Sequence, residues 1–215
     1  MRDRPQPVSF LVLSFTLFLA GLASAWAVMT LTSFHLNPHR ANTADSRRSD
    51  VIVVLAGDSE RTLYAASLAE QGAAARTLST LLDPGCLQAG RSTEECGTGV
   101  RNTVDEALVM RRILSQEQVR RVAVVTSRYH VARAASVFGI LFAGSGIQLD
   151  VVAPPLTKPL SEELRVQELV KFVPSIMAAT LARFTPALYQ WLMHYYPAAA
   201  NQCAGTLPQD GRRLL

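Results

Sequence analysis

DVIVVLAG, Asp50 to Gly57, sets four β-branched residues in a row between an acid and a glycine. An apolar run without polar alternation is the pattern of a strand covered on both faces, which is the habit of parallel sheets. ERTLYAASLAEQG, Glu60 to Gly72, follows at once and reads as a helix closed by glycine. The pair makes one β-α step, and the rest of the chain is read outward from it.

Downstream the alternation repeats. RTLSTLL, Arg76 to Leu82, reads as a second strand, and Leu82 to Arg101 as a loop rich in glycine, cysteine and threonine. TVDEALVMRRIL, Thr103 to Leu114, has apolar residues at helical spacing, with Asn102 or Thr103 as its cap and Asp105 and Glu106 near the positive end of its dipole. RVAVVTS gives a third strand, RYHVARAASVF a helix and IQLDVVAP a further strand. Strands alternating with helices define an α/β fold: a Rossmann-like parallel sheet with helices on both faces and right-handed crossovers. The domain is expected over residues 50–160. Residues 161–215 form a carboxy-terminal helical segment that Pro174 and Pro186 would kink. Its Glu168, Lys171 and Arg183 argue against a second membrane span. This segment either covers the sheet or lies as an amphipathic helix in a membrane interface.

Upstream, Val8 to Phe34 carries no formal charge over 27 residues, long enough to cross about 30 Å of hydrocarbon as a helix. Residues 1–7 with Arg2 and Arg4 resemble an n-region on the cytoplasmic side, and Ala23-Ser24-Ala25 offers a small-residue cleavage site. The apolar run continues past Ala25, which favours an uncleaved anchor at 8–34 over a removed signal peptide. The expected protein is thus a single-pass plasma-membrane protein with an exported body. Arg40, Arg47 and Arg48 fall inside the window of the positive-inside rule and weaken that orientation; the signal-like start favours it. Residues 35–49, polar and broken by Pro38, form the tether.

Composition narrows the function classes. The chain is 49% hydrophobic and 18% charged, with a formal net charge of +4 carried by arginine, lysine occurring only at Lys158 and Lys171. No basic stripe or aromatic interleaving marks a nucleic-acid partner. Cys86, Cys96 and Cys203 fit no zinc pattern, so no metal is expected. In an oxidising compartment Cys86 and Cys96 either pair across a short loop or remain thiols. Nucleophile elbow, P-loop, GxGxxG and HExxH motifs are absent.

In an open α/β sheet, ligands sit outside the carboxyl ends of the strands, where loops enter helices with free amides. Gly57 and Asp58 end the first strand there, with Arg61 one turn on. Asn102 and Thr103 open another helix in the same layer, and Thr126, Ser127, Tyr129, His130 and Arg133 follow the third strand. Hydroxyls, helix starts and arginines suit an anionic group such as phosphate. His130 is placed as a general acid or base, with Asp58 and Asp105 as carboxylate partners.

DVIVVLAG, Arg61, RNTVDEA and VVTSRYHVARAA together resemble the YdcF-type family of bacterial envelope proteins, which includes the SanA and ElyC types. The likeness spans about Asp50 to Pro155. Its most specific piece is TSxYHxxRA, met by Thr126, Ser127, Tyr129, His130, Arg133 and Ala134. The chain departs from the pattern at Asp105 and Glu106, where the family has glutamate and asparagine, and at Ser79-Thr80-Leu81-Leu82, where it has Ser-Gly. The resemblance implies a membrane-anchored Rossmann-like domain linked to peptidoglycan or lipid-carrier metabolism, and in one branch to S-adenosylmethionine binding. No cofactor is otherwise expected; the expected partners are the bilayer and a lipid-linked envelope intermediate.

Overall fold

A computed structural model describes residues 48–155 and 161–195, with Val12, Thr16 and Gly21 as helical residues upstream. The rest of the expected anchor, nearly all of the tether and Cys203 lie outside the described residues. Among the described residues no helix is long and apolar enough to cross a membrane.

The α/β expectation holds as a four-stranded, all-parallel sheet. Its strands are β1 (Val51–Val54), β2 (Thr77–Ser79), β3 (Arg121–Val125) and β4 (Gln148–Val152), in the order β2-β1-β3-β4. Val51 to Val54 pair with Val122 to Val125 residue for residue, and Val122 to Val125 pair with Leu149 to Val152. All four residues of β1 are buried, as its unbroken apolar run requires.

Helices cover both faces. On one, α1 (Ser59–Glu70) sets Ala65 and Leu68 against Ile52, Val54, Ala123 and Val125. On the other, α3 (Thr103–Ser115), α4 (Val131–Phe142) and α5 (Glu162–Phe184) pack over Val51, Val53, Leu55, Val122 and Val124. Met110, Leu114, Phe138 and Leu141 fill this larger core, each at most 1% exposed. Residue alternation along each strand sends odd and even positions to different cores.

Several expectations are corrected in detail. The second strand is three residues long rather than seven, because Thr80 turns inward and the chain leaves the sheet. The loop after Leu82 contains α2 (Pro84–Gln88), which Asp83 caps by accepting from the amides of Gly85 and Cys86. Cys86 and Cys96 form a disulfide across it, settling the choice left open by their spacing. RYHVARAASVF opens as a 3-10 turn, Arg128–His130, before α4 begins. Pro174 does not break α5. It is exposed, so the Val170 carbonyl that it leaves without a helical donor faces solvent. The break falls at Thr185 and Pro186, where α6 (Pro186–His194) starts with proline in its first turn, a position that needs no N–H donor.

Candidate functional site

The strand order reverses between β1 and β3. The chain leaves β1 through α1 toward β2 on one side, then crosses back over β1 to reach β3 and β4. A crevice at such a reversal, outside the carboxyl ends of the strands, is where open α/β sheets bind ligands. Ala56 to Asp58 and Thr126 to Ser127 form its two lips.

The rim is built from the first lip. Asp58 caps α1 by accepting from the Arg61 amide at 3.3 Å, and its other oxygen accepts from the Ser127 hydroxyl at 2.9 Å. Arg61, 5% exposed, donates from Nε to Ser127 Oγ at 2.7 Å and from Nη1 to the Ala56 carbonyl. Gly57 has φ +151°, and a Cβ built there would lie 2.5 Å from Arg61 Nη1. Glycine is therefore required twice, by backbone conformation and by the guanidinium that lies over it. The amides at Gly57 to Ser59 and at Ser127 to Tyr129 precede or open helical turns, and helix geometry gives such groups no intrahelical acceptor.

Behind the rim lies a closed ring of hydrogen bonds. Arg133 donates to Thr103 Oγ1 at 3.1 Å, and the Thr103 hydroxyl meets His130 Nε2 at 3.2 Å. His130 Nδ1 meets Glu168 Oε2 at 3.1 Å, and Arg133 grips both Glu168 oxygens, at 2.8 and 2.9 Å. The acceptor-only carboxylate fixes the tautomer: Nδ1 carries the proton, and Nε2 accepts from Thr103. Burial lowers the His130 pKa, and Arg133 and Arg61 oppose its protonation further; the hydrogen bond to Glu168 only partly offsets them. Burial by itself would raise Glu168, but hydrogen bonds from His130 and Arg133 outweigh it and bring the carboxyl down to about 2. With His130 neutral at pH 7, the ionic partner of Glu168 is Arg133.

Glu106 forms a third feature, accepting from the Ala56 amide at 2.6 Å and from Thr80 Oγ1 at 2.8 Å. Burial raises its pKa against those two hydrogen bonds. Thr80 and Glu106 thus bond each other beside the Ala56 amide. Thr126 is fully buried on the same sheet face as Val122 and Val124, and its hydroxyl alone among buried side-chain polar atoms lacks a partner among the described residues.

The structure thus brings Gly57, Asp58, Arg61 and Ser127 together at the rim, and joins Thr103, His130 and Arg133 behind it. Tyr129 is half-buried, its ring tilted against that of His130 with 6.5 Å between centroids. Asn102 and Asp105 go elsewhere. Asn102 caps α3, accepting from the amides of Val104 and Asp105. Asp105 accepts from Arg101 at 2.8 Å and from the Tyr189 hydroxyl at 2.7 Å, which docks α6 on the start of α3. Asp105, with Arg101 and Tyr189, borders a separate groove of about 500 Å³ between residues 98–101, α3 and α6. Arg101 and the Tyr189 hydroxyl both bond Asp105 there, so the polar groups of this groove already have partners.

Sequence reasoning missed Glu168 and Glu106 as site residues. Helical spacing carried a signal for both: Glu168 shares a face with Phe172, Ala179 and Ala182, and Glu106 with Thr103, Ala107 and Met110. An acid among inward-facing residues needs a partner. Arg133 changes standing as well, since its charge is balanced by Glu168, while Arg61 stays at the rim without such a close partner. The nearest acid to Arg61 is Asp58 at 3.9 Å, whose side chain is 44% exposed.

Comparison with known proteins gives no match to a family model, to a curated protein or to a solved structure. The likeness to the YdcF-type family rests on its motif residues alone.

Proposed function

We propose that this chain is a membrane-tethered envelope protein whose switch-point crevice binds an anionic, phosphate-bearing ligand, with a lipid-linked phosphate as the physiological class. The observation that carries the reading is the buried Arg61 guanidinium, held at the rim by Ser127 and the Ala56 carbonyl, where the twelve-residue α1 begins and the 3-10 turn that leads into α4 starts. Amides at helix starts and an arginine fork are a matched set for phosphate oxygens. Ser127 and Gly57 shape the contact, and His130, kept neutral, can accept or return a proton through the Thr103 hydroxyl. The Cys86–Cys96 bond supports an oxidising compartment, and the resemblance to the YdcF-type family supports the envelope assignment.

A second ligand class, S-adenosylmethionine or a nucleotide, would use the same crevice. That reading wants an acid beyond β2 for the ribose hydroxyls. Asp83, the nearest one, caps α2 and pairs with Arg112. The phosphate reading is therefore preferred.

The test is calorimetric titration of the full chain in detergent with inorganic phosphate, a short polyprenyl phosphate and S-adenosylmethionine. Saturable polyprenyl phosphate binding that Arg61→Gln and Ser127→Ala weaken supports the reading. Unchanged affinity in both variants, each first confirmed as folded by its melting curve, removes the crevice from it. Binding of S-adenosylmethionine alone replaces it.

A further inference from the structure

The long helix α5 has two apolar faces. One, carrying Phe172, Ala179 and Ala182, lies on the core. The opposite one carries Val166, Val170, Met177 and Phe184, all between 57% and 71% exposed, and at 100° per residue these four fall within about 40° of one another. Beyond the break at Thr185, α6 and its end also expose Leu188, Trp191 and Tyr195. Phe184, Trp191 and Tyr195 at about 200 Å² each place about 400 Å² of aromatic side chain in contact with water. With the aliphatic residues added, the patch exceeds what a monomer ordinarily leaves open.

Charge is distributed to match. From Val166 to Tyr195 the single acid is Glu168, which is on the inner face and bound to Arg133; Lys171 is exposed and Arg183 half-buried. Trp191 and Tyr195 form an edge-on pair, rings 5.2 Å apart, at the far end. Glu162 and Glu163, the exposed acids of α5, stand in its first turn, before the stripe begins. From Val166 onward, an apolar stripe with aromatic residues at one end and no exposed acid fits a bilayer interface. The uncharged run Val8 to Phe34 ends fifteen residues before Asp50, a tether that spans at most about 50 Å.

From these observations we infer that the outer face of α5 and α6 docks on the surface of the membrane that the amino-terminal segment anchors. This rests on reading Val8–Phe34 as that anchor, and it deepens the lipid-linked phosphate assignment. Glu168, on the inner side of the same helix, then holds His130 and Arg133 about one helix diameter, ~10 Å, above the headgroups. A phosphate carried on a lipid reaches the crevice without leaving the bilayer.

Trp26 and Trp191 are the two tryptophans, so Trp26→Phe leaves Trp191 as the reporter. The full chain is reconstituted in vesicles of phosphatidylcholine and phosphatidylglycerol with brominated acyl chains. The expected result is a blue-shifted Trp191 emission that loses about half its intensity to bromine and is protected from iodide. Adding Val170→Glu and Met177→Glu, both at exposed positions, should abolish the quenching. Alkaline carbonate extraction reports the anchor separately. A chain that resists extraction while Trp191 stays open to iodide and unquenched by bromine overturns the docking face and leaves the anchor standing. A Trp191 quenched in a chain that carbonate releases keeps the face and removes the anchor. Shielding from iodide without bromine quenching, in a chain that cross-links as a dimer, assigns the stripe to a second copy and overturns the proposal.

Discussion

Glu168→Gln is the substitution from which the site's architecture makes its strongest demand. Glu168 accepts three hydrogen bonds, from His130 at 3.1 Å and from Arg133 at 2.8 and 2.9 Å, with its own side chain 6% exposed. The fall of its carboxyl from an ordinary 4.5 to about 2 corresponds to about 3 kcal/mol at ~1.4 kcal/mol per pH unit. Removing one partner of a buried ion pair independently costs about 3–5 kcal/mol, because the arginine is left charged and unpaired. The two routes agree. For a domain of this size each kcal/mol lowers the melting temperature by about 2–4 °C, so the variant should melt about 10 °C below wild type at pH 7. Circular dichroism melts of the full chain in detergent measure this. The pH dependence has a definite sign: a depressed carboxyl contributes stability above its unfolded pKa near 4.5, and that contribution is lost as pH falls through about 2. Wild type should lose stability across that window, and Glu168→Gln should lack this part of the slope. Arg133→Met combined with Glu168→Gln should recover much of the loss. Melting within about 3 °C of wild type, with the acid slope intact, would refute the ring as described.

Other perturbations test neighbouring parts. Burial keeps His130 neutral in the fold while the unfolded chain protonates near 6.5, so stability should fall as pH drops below about 6.5. His130→Gln should flatten that limb in urea titrations at stepped pH. Glu106 shifts the opposite way, its contribution being full below about 4.5 and lost as pH rises through its raised pKa. Glu106→Gln, which keeps an acceptor for Ala56 and Thr80, should therefore be neutral or stabilising at pH 8, and a large loss there would contradict the upward shift that burial gives Glu106. Gly57→Ala should cost about 1–3 kcal/mol from its positive φ and should weaken phosphate binding by displacing Arg61, both readable in one melting and titration series. Reducing Cys86–Cys96, which closes a loop of about ten residues, should cost about 3 kcal/mol in the chain-entropy account, measured as a melting shift with and without reductant.

The unbroken apolar runs Val51–Val54 and Val122–Val125 were enough to give parallel strands, because a strand buried on both faces admits no polar alternation. The cap at Asn102 and the glycine after β1 were legible for a similar reason: local backbone geometry selects them within a few residues, whereas Asp58, read as a carboxylate partner of His130, proves to cap α1. So were the candidates at the crevice, since Gly57, Arg61, Ser127 and His130 sit next to the strand ends that position them. What the sequence could not reveal is pairing over long separations. Glu168 reaches His130 across 38 residues and Arg133 across 35, and Glu106 reaches Ala56 across 50. An inward-facing acid on a helix looks the same whether its partner is a distant arginine or water. Asp105 and Arg133 changed roles for that reason, one turned by helical phase toward Tyr189, the other neutralised from a helix whose docking no local pattern encodes. Local sequence set the strands and caps because their energetics are settled within a turn or a pleat. Which charges remained available to a ligand was decided by tertiary packing, because desolvation and ion pairing depend on what the folded chain brings within hydrogen-bonding distance.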